Sequence, residues 1–370
     1  MADKKILVIN PGSTSTKIAV YLNTRAIFLK SIRHPMEQLR KFKNVGDQYE
    51  YRKAIILKEL DHAEIETSTI DAVVGRGGLV RPIKSGVYSI NEQLKEDLKK
   101  GVLGEHASNL GGLIADDIAH SFPNAKAYIA DPVVVDELED VARITGHPKF
   151  QRYSIFHALN HKAVGRSYAR LLNKTYEDLN LIIAHLGGGI SVGAHKKGRV
   201  IDVNQALDGE GPFSPERTGT LPAGALAKLC FSGEYTEDQI KKLITGEGGL
   251  VAYFGTNNAY EIEMMAAEGD DKAKMIQDAM AYQIGKAIGC MASVLSGEVD
   301  AIILTGGIAN NPMIVEYVKK MVSFIAPVVI YPGEDEMHAL AMNGLRVLRG
   351  EVACKIYDES NMVSFSWCRE

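Results

Sequence analysis

The sequence contains few cysteines, a single tryptophan and no long hydrophobic run. Its 370 residues include four widely separated cysteines, Cys230, Cys290, Cys354 and Cys368. None forms a C-x-x-C pair, and such scattered thiols are typical of a reducing compartment rather than of a disulfide or zinc framework. No window of about 18 apolar residues predicts a membrane span. The apolar stretch after Lys5 is too short for the core of a signal peptide, so we expect a cytoplasmic protein with no membrane partner.

An excess of positive charge is also absent. Lys and Arg number 42 against 46 Asp and Glu, which gives a net charge of −4. A nucleic-acid-binding protein needs a basic face against the phosphate backbone, so we expect no nucleic-acid partner. The length and the 46% hydrophobic content predict an ordinary globular protein of about two domains.

Buried-strand patterns alternate with helical patterns along the chain, which predicts an α/β fold. A strand at residues 6–9, a polar turn and a second strand at 17–22 open the sequence, and the same unit returns at 181–195. This internal repeat predicts two related domains. Helices are predicted at 36–60, 91–100, 107–121, 157–172, across much of 222–296, and at 335–349. The tail from residue 350 has no clear pattern.

The turn after the first strand has the composition of an oxyanion site. It reads Asn10-Pro-Gly-Ser-Thr-Ser-Thr-Lys17, and small hydroxyl residues in a turn offer both backbone and side-chain donors to a phosphate. Because side chains alternate along a strand, we expect Ser13, Ser15 and Lys17 to lie on one side. The turn does not match a Walker A loop. A surface hairpin rich in Ser and Thr is the alternative.

Two glycine-rich turns follow later buried strands. The first is His185-Leu-Gly187-Gly188-Gly189, and the second is Thr305-Gly306-Gly307. Glycines at such positions let a ligand approach the backbone closely, although each one alone could be a tight turn. Together with residues 12–16, they suggest turns that converge on a polyphosphate. Neither reads as a G-x-G-x-x-G fingerprint, which argues against a dinucleotide.

Several single residues have two possible interpretations. Asp131 ends a strand and could hold a metal or cap a helix, and Arg217 is either a solvated loop residue or a clamp on phosphoryl oxygens. His157 and His161 share a helix face, but without an H-E-x-x-H pattern hydrogen-bonded core histidines are favoured over zinc ligands. Glu336, beside Glu334 and Asp335, either matches a helix dipole or binds magnesium.

These residues occur in an order that resembles the acetate and butyrate kinase family, with the butyrate kinase branch the more similar. The resemblance covers residues 5–349. The stretches that carry it, besides the turns above, are Phe156-His157, Arg217-x-Gly219, Gly75-Arg-Gly-Gly-Leu79, Gly104-Glu-His-Ala-Ser-Asn-Leu110, Asp131-Pro-Val-Val-Val-Asp136 and Ala206-Leu-Asp-Gly-Glu-Gly-Pro-Phe213.

The resemblance implies a fold, a reaction and a set of partners. The fold is the actin-like (ribonuclease H-like) one, with two duplicated α/β domains around a nucleotide cleft. We expect an N-terminal domain at 1–150, a nucleotide-binding domain at 151–336, and a C-terminal helix at 337–370 that crosses back to the first. The reaction is reversible phosphoryl transfer between ATP and a short-chain carboxylate such as butyrate, with Mg²⁺, giving an acyl phosphate and ADP. A homodimer or a higher homo-oligomer is expected.

The resemblance also implies residue roles. Nucleotide or phosphate contacts would come from Asn10, Ser13, Ser15, Lys17, Gly187, Gly188, Gly189, Thr305, Gly306, Gly307, Ile308 and Asn310. The catalytic group would comprise Lys17, Asp131, His157, His185 and Arg217. Magnesium would be linked to Asn10, Asp131 and Glu336, and the acyl substrate to Arg76 and Phe156.

The sequence departs from the acetate kinase pattern at three places. Arg76 is displaced along its strand relative to the arginine of that pattern, Gly188 replaces an Asn, and Ala309 replaces a Gly. These changes are consistent with the butyrate kinase branch. An acetate or propionate kinase is the alternative within the family. A sugar kinase would need polar substrate contacts, and a partner-binding actin-like ATPase would leave Arg217 and Phe156 unexplained.

Overall fold

The structure is a computed structural model that describes residues 2–364. Contacts within the chain divide it into two units. Of the described residues, the first contains 2–136 together with 335–364, and the second contains Glu137–Glu334. The domain boundaries expected from the sequence were 150/151 and 336/337. Cys368 lies outside the described residues.

Groups of strands alternate with groups of helices along the chain. They are β1 (Lys5–Pro11), β2 (Ser15–Leu22), β3 (Arg25–Arg33), β4 (Ala72–Arg76), β5 (Val87–Ser89), β6 (Lys126–Ala130), β7 (Asn180–Leu186), β8 (Ile190–Lys196), β9 (Arg199–Val203), β10 (Ala301–Gly306), β11 (Val328–Pro332) and β12 (Lys355–Ile356).

The α-helices are α1 (Met36–Leu39), α2 (Tyr49–His62), α3 (Glu92–Lys100), α4 (Asn109–Ser121), α5 (Asp140–Arg143), α6 (Ala158–Leu171), α7 (Ala223–Cys230), α8 (Glu237–Ile244), α9 (Leu250–Phe254), α10 (Ala259–Ala267), α11 (Asp271–Val294), α12 (Pro312–Val322) and α13 (Glu336–Leu348). Short 3₁₀ turns lie at Gly46–Gln48, Thr67–Thr69, Tyr176–Asp178 and Gly307–Asn310. Among these described helices, none is both long and apolar enough to cross a membrane.

The first unit is built on a seven-stranded sheet in the order β12-β5-β6-β4-β1-β2-β3. The β1–β2–β3 strands are antiparallel, and β4 and β6 continue the sheet parallel to β1. Helix α13 belongs to this unit and packs on β1 and β4. A Cβ added at Gly344 of α13 would lie 2.6 Å from a methyl of Val74, so only glycine permits this approach of helix and sheet.

The second unit repeats this arrangement. Its five-stranded sheet has the order β11-β10-β7-β8-β9, with β7–β8–β9 antiparallel and β10 and β11 parallel to β7. This is the order and direction of β6-β4-β1-β2-β3 in the first unit. The predicted α/β class and the predicted internal repeat are therefore confirmed. An apolar core between the sheet and α10–α12 includes Met280, Ile284 and Ile302.

The structure corrects several element boundaries. The helix predicted at 36–60 is divided into α1 and α2 by a 3₁₀ turn, and the helix expected over 337–370 ends at Leu348. Gly350 follows with φ of 70°, the left-handed conformation that ends many helices. Strand β3 was missed because most of its residues are exposed on the edge of the sheet, which removes the alternation on which strand prediction depends.

Candidate active site

The Asn10–Lys17 turn forms the tip of the β1–β2 hairpin in the first unit. Asn10 pairs with Lys17 across the hairpin, and the turn is closed by Gly12 N–H donating to Ser15 O at 2.7 Å. Lys17 is exposed and Ser15 is half-buried, whereas Thr16 between them is buried. Ser15 and Lys17 thus share a face, as strand alternation requires. Ser13 is exposed in the turn itself, where alternation does not apply.

Arg52 of α2 supports this turn from within the unit. Its Nη1 donates to Gly12 O at 2.8 Å and Ser15 O at 3.1 Å, and its Nη2 donates to Ser13 O at 3.0 Å. The side chain is only 1% exposed, and burial lowers the pKa of the guanidinium. The sequence did not single out Arg52, because a lone arginine on a predicted helix is usually a solvated residue.

Glu336 joins two residues that the sequence had assigned separately. Asn10 Nδ2 donates to Glu336 Oε2 at 2.7 Å, and Arg76 Nη1 donates to the same oxygen at 2.6 Å. Arg76 Nη1 also lies 3.3 Å from Asn10 Oδ1. Parallel pairing of β1 and β4 brings the ends of these strands together, and Glu336 begins α13 directly after its N-cap, Asp335. Despite its displacement along β4, Arg76 lies within this cluster.

The donor set at Glu336 fits Mg²⁺ in part. Asn10 Oδ1 and the Glu336 carboxylate are hard oxygen donors, and protein-bound Mg²⁺ is commonly held by one or two carboxylates plus substrate phosphates and water. Within residues 2–364, no group of three His, Cys, Asp or Glu side chains could hold a metal alone. A metal here would therefore need oxygens from a phosphate substrate.

Asp131 has contacts of its own in the first unit. Its Oδ1 accepts hydrogen bonds from Ser85 Oγ at 2.6 Å and from Gly86 N at 2.9 Å. The residue is 1% exposed, and its φ of 36° places it in the left-handed region. A non-glycine residue there is strained, and such strain concentrates at functional sites. The Asp131 carboxylate is thus held rigidly at the end of β6.

In the second unit, two glycine-rich turns lie side by side. Strands β7 and β10 are parallel, with His185 opposite Thr305, so their carboxyl ends leave the sheet together. Gly306 has φ of 88°, and a Cβ there would lie 2.4 Å from Leu186 O. Beyond it, a Cβ at Gly307 would meet no atom within 4 Å. The second turn is therefore backbone-lined and open.

Side-chain hydrogen bonds hold the Gly307–Asn310 turn and the end of β10 before it. Asn310 Nδ2 donates to Gly307 O at 3.0 Å, and Thr305 Oγ1 donates to Gly333 O at 3.2 Å. Ile308 is buried, whereas Gly307 and Asn310 are exposed.

Arg217 lies against the first of these glycine turns. A Cβ at Gly189 would lie 1.9 Å from Arg217 Nη1, so any other residue here would displace this guanidinium. Arg217 Nη1 donates to Ala206 O, whereas its Nε is buried without a hydrogen-bond partner. Burial lowers the pKa of Arg217. A buried cationic donor without a partner is costly, and an anionic group at Gly187–Gly189 would relieve that cost.

Ser214 holds the backbone of the Gly187–Gly189 turn. Ser214 Oγ donates to Gly188 O at 2.6 Å. A Cβ at Gly188 would have no neighbour nearer than 3.9 Å, so the turn is accessible to a ligand. Gly187, Gly189 and Arg217 are consistent with a site for nucleotide phosphates.

His157 and His185 form a stacked pair beside the turn. Their ring centroids are 3.8 Å apart and their planes are inclined by 15°. His185 Nδ1 donates to Asn160 Oδ1 at 2.9 Å, and its Nε2 lies 3.5 Å from Glu334 Oε2. His157 immediately precedes α6, and its Nδ1 lies 2.9 Å from Ser191 Oγ. The structure thus brings together the two histidines that were predicted to act.

Behind this pair lies a buried polar cluster that the sequence did not predict. His161 contacts Ser191 Oγ through Nε2 at 2.9 Å and His195 Nε2 through Nδ1 at 3.1 Å, and His195 Nδ1 contacts the Tyr176 hydroxyl. Burial holds the pKa values of His161 and His195 well below the usual range. The core-histidine interpretation of His161 is therefore confirmed over the zinc one. Phe156 packs edge-on against His161 with centroids 5.1 Å apart.

Sequence comparison identifies relatives along almost the whole chain. The profile of the acetokinase family matches residues 144–329. Butyrate kinase 2 of Clostridium acetobutylicum is 59% identical over 353 residues, which cover 95% of this chain and 99% of that protein.

Structural comparison agrees. Acetate kinase of Porphyromonas gingivalis superposes with a TM-score of 0.76 at 20% identity, covering 93% of this chain and 100% of that one. A propionate kinase from Francisella tularensis gives a TM-score of 0.71 at 20% identity, covering 92% and 98%. These matches confirm the predicted actin-like fold class, and the butyrate kinase relative confirms the predicted resemblance. The chain belongs to the acetokinase family.

Proposed function

We propose that this chain catalyses the reversible transfer of a phosphoryl group between ATP and butyrate, giving butyryl phosphate and ADP. It is a phosphotransferase whose acceptor is a carboxyl group. Membership of the acetokinase family and 59% identity to a butyrate kinase support the reaction. The observation that carries it is the half-buried Arg217 guanidinium, which packs against Gly189 and has a buried Nε without a hydrogen-bond partner, because phosphoryl transfer needs a fixed cation beside the phosphates.

The chemistry requires no general base, because a carboxylate is already a nucleophile. One of its oxygens bonds to the γ-phosphorus while the bond from that phosphorus to the β,γ-bridging oxygen breaks, and ADP leaves with that electron pair. The difficulty is the repulsion between two anions. Arg217 neutralises the transferring group, and Gly187–Gly189 provide backbone donors to the phosphates. His185 already donates from Nδ1 to Asn160, so as an imidazolium it donates from Nε2 to a phosphoryl oxygen.

The family resemblance implies further roles for polar groups of the first unit. Asn10 and Glu336 would hold Mg²⁺, which neutralises phosphate charge when bound. Ser13 and Ser15 offer hydroxyl donors and Lys17 a mobile cation on the exposed face of the Asn10–Lys17 turn. The carboxylate of Asp131 is held by hydrogen bonds at the end of β6. There it would contact either Mg²⁺ or the carboxylic acid substrate. In the second unit, Thr305, Ile308 and Asn310 line the adenosine site.

Butyrate is the proposed acid, with acetate, propionate and branched short-chain acids as the alternatives. Phe156, 2% exposed, forms one wall of the alkyl pocket, and His157 lies next to it in the chain. One methylene changes the binding free energy by about 1–3 kcal/mol. Small differences in this wall therefore decide which acid is preferred.

We also propose that the chain forms a homodimer or higher homo-oligomer through α7. This helix reads Ala-Gly-Ala-Leu-Ala-Lys-Leu-Cys, yet none of its residues is buried, and Phe231 after it is 91% exposed. Contiguous exposed apolar surface of this kind marks interaction sites. Phe231→Glu should lower the mass measured by light scattering. A mass that is unchanged would contradict this assignment.

The reaction is tested by trapping acyl phosphate with hydroxylamine in the presence of Mg²⁺ and ATP. The acids compared would be acetate, propionate, butyrate, isobutyrate and isovalerate. The proposal predicts acyl hydroxamate with a maximum at four carbons. A maximum at acetate would instead assign the chain to the acetate kinase branch of the family. ATP hydrolysis without hydroxamate from any acid would overturn the kinase assignment.

A further inference from the structure

A continuous line of hydrogen bonds runs through the core of the second unit to His157. It passes from the Tyr176 hydroxyl to His195, then to His161, then to Ser191 Oγ, and ends at His157 Nδ1. Tyr176, His161, Ser191 and His195 are at most 3% exposed. They come from a 3₁₀ turn, α6 and β8, so the line crosses three separate elements.

Each of the two histidines inside this line, His161 and His195, carries a single ring proton, on either Nδ1 or Nε2. Burial keeps His161 and His195 neutral, and a neutral imidazole donates from one nitrogen and accepts at the other. Among the described residues, the buried Ser191 hydroxyl is hydrogen-bonded to one nitrogen of His161 and one of His157, so it satisfies its single proton by donating to one of them. The protons therefore all point in one direction along the line. Either the Tyr176 hydroxyl donates and His157 Nδ1 accepts at the far end, or every bond is reversed.

The tyrosine end decides between the two directions. A phenol, with a pKa near 10, is a stronger acid than a neutral imidazole N–H, and an imidazole nitrogen is a better acceptor than a phenol oxygen. Donation from Tyr176 to His195 Nδ1 is therefore favoured. His195 Nε2–H then donates to His161 Nδ1, His161 Nε2–H donates to Ser191 Oγ, and the Ser191 hydroxyl donates to His157 Nδ1.

We propose that Tyr176, His195, His161 and Ser191 are positioning residues that hold His157 as the tautomer with its proton on Nε2. This inference rests on the proposed function, in which His185 contacts the phosphoryl group, so that the His157 ring stacked on it lies near anionic oxygens. An N–H at Nε2 stabilises such an oxygen, whereas a lone pair would repel it. The stack on His185, whose Nδ1–H donates to Asn160 Oδ1, holds the plane of the ring. The line of hydrogen bonds fixes its tautomer.

The direct test is the ring-nitrogen NMR spectrum of protein labelled with ¹⁵N-histidine at pH 7.5. His157→Gln identifies the His157 signals by their loss. We expect wild-type His157 to show a protonated Nε2 and an Nδ1 that accepts a hydrogen bond. Ser191→Ala should shift the Nδ1 signal towards that of a mixture of tautomers. A proton on Nδ1 in the wild type, or an unchanged spectrum in Ser191→Ala, would overturn the inference.

Removing the tyrosine hydroxyl tests whether the line is connected over its whole length. Tyr176→Phe should shift the ring signals of His195, His161 and His157 in turn. The matched control is Tyr168→Phe, which removes a phenol hydroxyl from the same small core but not from the line, and should leave His157 unchanged. A Tyr176→Phe effect confined to His195 would contradict a connected line. These spectra do not require turnover, so they separate this inference from the proposed function.

Kinetics then show whether the tautomer matters for the reaction. Ser191→Ala should lower kcat about tenfold, equivalent to about 1.4 kcal/mol, with the KM for butyrate changed less than twofold. Ser191→Ala combined with Tyr176→Phe should be no slower than Ser191→Ala alone, because both act through one path. Losses in kcat that multiply would contradict the inference. The thermal midpoint of each variant shows that it is folded.

Discussion

Arg76 and Glu336 are partners, with Arg76 Nη1 2.6 Å from Glu336 Oε2. The sequence assigned the first to the acyl substrate and the second to magnesium. In the structure, the guanidinium contacts a carboxylate oxygen that a metal ion would also use, and Asn10 Nδ2 donates to the same oxygen. At the proposed magnesium site, Arg76 and Mg²⁺ would therefore compete for this oxygen of Glu336.

This competition predicts the effect of Arg76→Ala on metal dependence. Removing the guanidinium frees Glu336, so we expect the half-saturating Mg²⁺ concentration to fall by about tenfold or more, since a charged hydrogen bond contributes about 1.5 kcal/mol or more. The measurement is a Mg²⁺ titration of activity at fixed ATP. Arg81→Ala removes an arginine–carboxylate pair elsewhere in the unit, with Asp97, and serves as the control. A rise in KM for butyrate with unchanged Mg²⁺ dependence would instead assign Arg76 to the acid.

Arg217 provides the second prediction. Arg217→Ala should lower kcat by about 10³-fold, as for other arginines that stabilise a transferring phosphoryl group. Arg217→Lys should recover only part of the loss, because an ammonium cannot make two parallel hydrogen bonds. Arg170→Ala, on the exposed surface of α6, is the matched control. Near-full turnover of a folded Arg217→Ala protein would contradict the role given to this residue.

Arg52 predicts a linked effect on stability and nucleotide binding. Arg52→Met would leave the carbonyl oxygens of Gly12, Ser13 and Ser15 without their buried donor. The free energy of unfolding should then fall by about 2–4 kcal/mol, measured by urea denaturation. Arg52→Lys keeps the charge but cannot reach all three carbonyls, so it should raise the KM for ATP in a protein that remains folded. Lys58→Met, an exposed cation of the same helix, should change neither quantity.

The buried histidines predict how stability depends on pH. Burial, with a contribution from Arg52, lowers the pKa of His34 to about 4, and the pKa values of His161 and His195 also lie below the unfolded value of about 6.5. Below pH 6.5 the unfolded chain binds protons that the folded one excludes. Stability present above pH 6.5 should therefore be lost as the pH falls towards 4, by up to about 1.4 kcal/mol per pH unit for each histidine.

Urea denaturation between pH 8 and pH 5 measures this slope. His34→Gln removes one of the three groups and should make the slope shallower by up to about 1.4 kcal/mol per pH unit. His62→Gln, a histidine exposed on α2, should leave it unchanged. A stability that is independent of pH over this range would show that these rings are protonated in the folded chain.

Sequence patterns predicted most of the fold because the strands near the candidate site are strongly apolar segments that can be recognised from the local sequence. Strands β1, β7 and β10 are buried runs whose second-last residues are Asn10, His185 and Thr305, so the polar turns after them could be recognised directly. Strand β3 and the interruption between α1 and α2 were missed, since neither has an apolar period.

The support behind the site was harder to predict because it depends on contacts between distant residues. Arg52 contacts a turn about 40 positions earlier in the chain, and His161 and His195 meet from α6 and β8. Nothing in the local sequence of either histidine distinguishes a ring that is hydrogen-bonded at both nitrogens from a packed one. The Arg76–Glu336 pair spans 260 positions, and only the folded unit brings the two residues together.

The most direct test of the phosphoryl-transfer account is the identity of the phosphorus products. ³¹P NMR of the protein with Mg²⁺, ATP and butyrate should show one acyl phosphate for each ADP formed, with no reaction when butyrate is omitted. Arg217→Ala should form neither product at a comparable rate. ADP accompanied by inorganic phosphate instead of acyl phosphate, whether or not butyrate is present, would contradict the account and identify the chain as an ATPase.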